Sequence, residues 1–123
     1  MTIMDAINRI DSLKPNRYEQ GEKIKWLNTL DQRVMAEIIT THENNLEKEF
    51  TGYNEETSLN TVLLVPSPHD DIYLYWMEAQ IDYWNGEYGK YNNSIVMFNN
   101  AYDSYFNYYN RTNKAKSKKT VFF

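Results

Sequence analysis

The sequence predicts an all-α fold: a small bundle of about four helices, with a minor β-hairpin or extended insertion and an extended C-terminal arm. Three observations predict it. Apolar residues recur at three- and four-residue spacing over several long stretches. The prolines, Pro15, Pro66 and Pro68, all fall between those stretches. At 123 residues the chain is about the size of one domain with one core. The expected organisation is a helical domain over 1–112, with an irregular insertion at about 42–67, followed by a basic arm over 113–123.

Thr2 is placed to cap a first helix, with Asp5 three residues on to meet its free amides, and Ile3, Ile7 and Ile10 share one face. The helix should end at about Leu13, because a residue before proline is pushed out of the helical region and Lys14 precedes Pro15. A second, amphipathic helix is expected from about Glu19 to Thr41. Its stripe is Ile24, Leu27, Leu30 or Asp31, Val34 and Ile38, widened by Trp26 and Ile39.

Between His42 and Pro68 the pattern breaks. Thr61 to Val65 is β-prone and could pair with Leu46 to Tyr53 as a hairpin. Two strands alone are marginal and would need a helix or a neighbouring subunit to lie on, and an insertion this long suggests a working loop.

A third helix is expected from Pro68, with Asp70 and Asp71 complementing its dipole. Ile72, Trp76, Ala79 and Tyr83 form one stripe and Leu74, Met77, Ile81 and Trp84 another, leaving a polar strip at Glu78, Asp82 and Asn85. A helix apolar on most of its circumference belongs in the middle of a bundle. Gly86 and Gly89 interrupt it, and a fourth helix resumes at about Lys90. Tyr91, Ile95, Phe98, Tyr102, Tyr105 and Tyr109 then give a heptad-like seam that needs a partner along its length. Of the 11 tyrosines, 9 lie between Tyr73 and Tyr109. Buried tyrosine needs a hydroxyl partner and is enriched at interfaces, so Trp76, Tyr83, Trp84, Tyr91, Phe98, Tyr102, Tyr105 and Tyr109 read as a core seam or subunit interface.

The chain has no cysteine, which excludes disulfides, thiolate zinc sites and a cysteine nucleophile. The first ten residues lack the apolar core of a secretory signal, and no apolar run approaches the length of a membrane span. A soluble protein is expected, and the glycosylation-like strings at Asn92 and Asn110 then read as coincidence. Residues 1–110 carry 8 Lys/Arg against 17 Asp/Glu, whereas 111–123 carry 5 basic residues and no acid. Lys114, Lys116, Lys118 and Lys119 could touch phosphates. The acidic body would repel a duplex, and Val121-Phe122-Phe123 is apolar, so docking to a protein partner is the favoured use of the arm.

No constellation points to catalysis. His69-Asp70-Asp71 is contiguous at a helix start, where successive side chains diverge, and reads as an acidic cap rather than a metal site. Glu78 and Asp82 share a helical face but lack the Glu-x-x-His spacing of di-iron bundles. His42 suits the carbonyl end of the second helix. Gly21, Gly52, Gly86 and Gly89 fit no phosphate-loop spacing. The expectation is a non-enzyme without cofactor or metal.

The order of elements, with LLVPSPHDDIYLYWMEAQIDYWNGEYGKYNNSIVMFNNAY from Leu63 to Tyr102, resembles small proteins of the structural gene blocks of tailed bacteriophages, which look like head–tail connector (adaptor, head completion) proteins. The resemblance spans about residues 1–112 and carries no catalytic motif. It implies a virion protein that forms a ring, usually of twelve copies, below the portal at the neck. The ring continues the DNA channel, contacts a stopper or tail completion protein, and lies near packaged DNA without specific contact or membrane. Before assembly such a protein resides in the host cytoplasm. Carried onto this chain, Lys114 to Phe123 is the portal-docking arm, and the loop bearing Phe50, Tyr53, Leu63 and Leu64 faces the lumen or the next ring. Two other readings stand beside it: another neck or tail completion protein, and a small non-virion adaptor for a soluble partner.

Overall fold

A computed structural model describes residues 1–42 and 49–113. It is a small all-α bundle with helices α1 (Ile3–Leu13), α2 (Gln20–Glu37), α3 (Ile72–Trp84) and α4 (Tyr88–Thr112), and a short 3-10 turn, Ile39–Thr41, after α2. Helix α3 packs on each of the other three helices, as its nearly all-round apolar surface requires.

Helix α1 opens with a reciprocal cap. The Asp5 N–H donates to Thr2 Oγ1 at 3.1 Å, and the Thr2 N–H donates to Asp5 Oδ2 at 3.0 Å. The bond from the Thr2 backbone, then that from its hydroxyl, holds the Asp5 carboxyl below its ordinary value. Ile3, Ala6, Ile7 and Ile10 are buried, and the helix stops at Lys14, which is extended ahead of Pro15.

Helix α2 ends earlier than its apolar spacing suggests. The helix stops at Glu37, and Ile38 caps it with φ −119° and ψ −61° before the chain tightens into the 3-10 turn. The cause lies in four successive β-branched residues, Ile38 to Thr41, two of which, Thr40 and Thr41, carry hydroxyls that compete for the carbonyls the helix would use. Thr40 Oγ1 donates to the Met35 carbonyl at 2.9 Å and Thr41 Oγ1 to the Ile38 carbonyl at 2.7 Å.

The hairpin expected between Leu46–Tyr53 and Thr61–Val65 does not appear among the described residues; 43–48 lie outside them. Thr61–Leu63 pairs with the start of the chain instead, through an antiparallel bridge between Thr2 and Val62. The Ile3 N–H donates to the Thr61 carbonyl, the Met4 N–H to the Leu59 carbonyl and the Leu63 N–H to the Met1 carbonyl, each at 3.0 Å. The first amides of a helix have no partner within it, so the insertion supplies the acceptors α1 lacks.

Helix α3 starts at Ile72, not at Pro68. The amides of His69, Ile72, Tyr73 and Leu74 bond carbonyls three residues back, as in turns, and the first four-residue bond runs from the Tyr75 N–H to the Asp71 carbonyl. Asp71 stands at the helix start without a side-chain capping bond.

The α3–α4 corner closes as a Schellman turn: the Gly86 N–H donates to the Tyr83 carbonyl at 3.0 Å and the Glu87 N–H to the Asp82 carbonyl at 2.9 Å. Gly86 has φ +77°, the left-handed geometry this turn demands. Gly89, expected to be a second interruption, lies inside the first turn of α4.

Candidate interaction surface

The aromatic residues of α3 and α4 divide into two groups. Phe98, Tyr102 and Tyr105 are buried in the core, and Trp76, Ile95 and Tyr109 pack against it. The Trp76 indole N–H donates to the Trp26 carbonyl at 2.8 Å, and the Tyr102 hydroxyl donates to Glu37 Oε1 at 2.8 Å. Arg33 lies over the Tyr102 ring at 4.4 Å and donates to Glu37 at 3.0 Å. The Tyr102 hydroxyl, then Arg33, holds the Glu37 carboxyl below its ordinary value. Burial pushes the phenol of Tyr105 up to about 12 and raises that of Tyr102 further.

The second group stands outside. At the α3–α4 corner Trp84 is 61% exposed, Tyr88 60% and Tyr83 45%, with Tyr91 half-buried beside them. The Tyr83 ring sits edge-on to Trp84 at 5.2 Å, Tyr91 at 5.5 Å and Tyr88 at 5.9 Å, so the four rings form one cluster in a favoured geometry. The Schellman turn sets its backbone. The Tyr18 hydroxyl braces it from the α1–α2 loop by donating to Asn85 Oδ1 at 2.7 Å. A clustered exposed aromatic patch of this kind is the ordinary mark of a binding surface. Tyr88 belongs to it, although the heptad-like seam begins only at Tyr91.

Behind the insertion lies a buried carboxylate with no cationic partner among the described residues. Asp31 Oδ1 accepts the Tyr73 hydroxyl at 2.6 Å, and Asp31 Oδ2 accepts the Tyr53 hydroxyl at 2.6 Å and the Leu64 N–H at 3.1 Å. The Tyr73 oxygen in turn accepts the Val65 N–H at 2.8 Å. Short bonds to an ionised acceptor are the strong kind. Burial still raises the carboxyl above its ordinary value, against the opposing pull of Tyr53, Tyr73 and the Leu64 amide, and raises both phenols as well. The network ties the insertion to α2 and α3. Its signal in the sequence is an acid on the apolar stripe of α2, at a position where either Leu30 or Asp31 could have faced inward.

The other expected sites resolve in structural terms. Of the loop residues assigned to a lumen or ring-to-ring face, Tyr53 and Leu63 are core and Phe50 and Leu64 are half-buried, leaving Val62 as an exposed apolar residue there. Glu78 and Asp82 do not act as a solvated pair. Asp82 is buried, with Lys14 Nζ 2.8 Å from Oδ1 and the Ser94 hydroxyl donating to Oδ2 at 2.7 Å. His42 is buried where α2 meets α4: Nδ1 lies 2.6 Å from the Ile38 carbonyl, Nε2 lies 2.9 Å from Asn110 Oδ1, and Tyr109 meets the ring edge-on. His69 packs its ring on Tyr105 and Tyr108.

Among the described residues no group of three or more His, Asp or Glu side chains could hold a metal ion. No helix among them is long and apolar enough to cross a membrane. The arm, Lys114, Lys116, Lys118, Lys119, Val121, Phe122 and Phe123, lies outside the described residues. Comparison of the chain with protein-family models, with curated proteins and with solved structures finds no match.

Proposed function

We propose that this chain is a non-enzymatic structural subunit of a tailed-bacteriophage neck, a head–tail connector that assembles into a ring below the portal and links head to tail. The observation that carries the assembly part is the exposed aromatic corner of Tyr83, Trp84, Tyr88 and Tyr91, held on a rigid helix hairpin and left uncovered by the described residues of the single chain. The connector part rests on the resemblance of the Leu63–Tyr102 stretch. In this reading the corner contacts the neighbouring copy, the segment 114–123 engages the portal, and the stopper or tail completion protein meets the opposite face of the ring. The acidic body suits a conduit because poor phosphate affinity lets DNA slide. Asp31, the carboxylate whose burial could have suggested catalysis, is occupied by structural bonds to Tyr53, Tyr73 and Leu64.

Localised reconstruction of the neck in intact virions tests the reading. A ring of this chain between portal and tail is the expected result. Density for it elsewhere in the tail would favour a tail completion protein, and its absence from virions would favour an adaptor for a soluble partner.

A further inference from the structure

Helix α4 leads into a segment, KAKSKKTVFF, that carries four lysines and no acid before a Val-Phe-Phe run. A groove of about 430 Å³ between α1 and α3 has the complementary chemistry. Its apolar wall is Ile10, Leu13, Leu74 and Tyr75. Leu13, the next apolar position after Ile10 on α1, is 61% exposed. Asp71 and Glu78 also line it, facing the single guanidinium of Arg9, and none of the three forms an ion pair among the described residues. The groove is therefore apolar with a net negative rim.

Reach selects this groove over the aromatic corner. His69 packs on Tyr105 and Tyr108, so the last turns of α4 stand beside the start of α3, and Asp71 follows two residues later. Ten residues beyond Asn113 span at most about 33 Å. The corner lies at the far end of α4, about 37 Å away along the helix. Glu78 also lines a neighbouring hollow of about 230 Å³ with Asp82, Ser94 and Met97, where Lys14 and Lys90 balance the acids, so the net negative rim belongs to the α1–α3 groove. A short tether gives a nearby site a millimolar effective concentration, which favours the segment of the same chain over that of another copy.

We infer that residues 114–123 seat in the α1–α3 groove of their own chain, with lysines toward Asp71 and Glu78 and a phenylalanine against Leu13, Leu74 and Tyr75. The inference does not depend on the neck reading; under that reading the groove is where the arm rests before its partner takes it.

The test uses the full chain with a photoreactive phenylalanine analogue in place of Phe122, prepared as isotopically heavy and light copies, mixed at dilute concentration and irradiated. The expected products are links to the peptides bearing Leu13 or Leu74–Glu78, each within a single copy. Joint Asp71→Lys and Glu78→Lys substitution lowers the yield about fivefold, the order expected for two weak surface ion pairs, with helix content checked by circular dichroism. Links to Tyr83–Tyr91, links between heavy and light copies, or a yield indifferent to the charge reversals overturn the inference. Should the double variant fail to fold, the mapped position of the links from Phe122 in the otherwise natural chain decides it.

Discussion

Asp31 and Tyr73 meet at 2.6 Å in the centre of the molecule, and through them the α2 helix, the α3 helix and the backbone of the insertion at Val65 become one hydrogen-bonded unit. Removing the carboxylate strands two buried phenols and the Leu64 amide. Asp31→Ala should therefore cost about 3 kcal/mol, because three buried donors left unpaired at about 1–3 kcal/mol each outweigh the relief of the carboxylate's burial. Tyr73→Phe removes one bond and orphans the Val65 N–H, for about 1–3 kcal/mol. Urea unfolding of the two variants measures both, and a loss below that of an ordinary surface substitution for Asp31→Ala would contradict the network.

The same carboxylate sets a pH dependence whose sign is fixed. Its folded-state value is raised by burial, so the stability it contributes is fully present below its unfolded value of about 4 and is lost as pH rises through the folded value. The wild-type chain should gain on Asp31→Asn as the pH falls from about 8 toward 4, read as the difference in urea midpoint. At the alkaline end, Tyr105 is pushed up to about 12 and Tyr53 and Tyr73 are also raised. Unfolded phenols ionise near about 10, so stability present below that pH is lost as pH climbs through the folded values. Tyrosinate absorbance from these residues should rise together with the loss of helix.

Two glycines at the corner should respond in opposite directions. Gly86 holds φ +77° with nothing within 4 Å of the place an added methyl would occupy, so Gly86→Ala meets backbone strain alone, for about 1–2 kcal/mol of destabilisation. Gly89 is helical with equally open surroundings. Gly89→Ala should stabilise by about 0.5–1 kcal/mol. Thermal melts of the pair distinguish a required left-handed glycine from a dispensable one.

The aromatic corner should matter to assembly and not to folding. Trp84→Ser and Tyr88→Ser remove largely exposed rings, and surface changes of this kind usually stay within about 0.5 kcal/mol. Both should keep the wild-type urea midpoint, and under the proposed neck function the double variant should leave filled heads unable to join tails. Normal joining by the double variant would remove the corner from the assembly interface.

Removing Lys14 tests the second buried carboxylate. Among the described residues, Lys14→Met leaves Asp82 with the Ser94 hydroxyl as its remaining side-chain partner. Stability at neutral pH should fall by about 3 kcal/mol or more, and Lys14→Met with Asp82→Asn should recover part of that loss.

The helices were legible because their signals are local. The Thr2–Asp5 cap, the Pro15 stop and the three-and-four spacing of α2 and α3 act within a few residues of the backbone they shape. The insertion was not, because its structure is set by distant partners: Thr61 and Leu59 serve the amides of Ile3 and Met4, and Leu64 and Val65 reach Asp31 and Tyr73. Periodicity also could not separate Tyr83, Trp84 and Tyr88 from Phe98, Tyr102 and Tyr105. All six suit either a core or an interface, and only the position of the turn decides which rings are left outside.

The pairing of Thr2 with Val62 bears on the order in which the chain can fold. Helix α1 leaves the ribosome ahead of the other three, yet the carbonyls that complete its opening turn belong to Leu59 and Thr61. Closing so long a loop is slow compared with forming a helical turn. The earliest helix to be made is therefore among the last to be finished, and hydrogen exchange at the Ile3 and Met4 amides should report the closure of the whole domain rather than the fraying of one helix end.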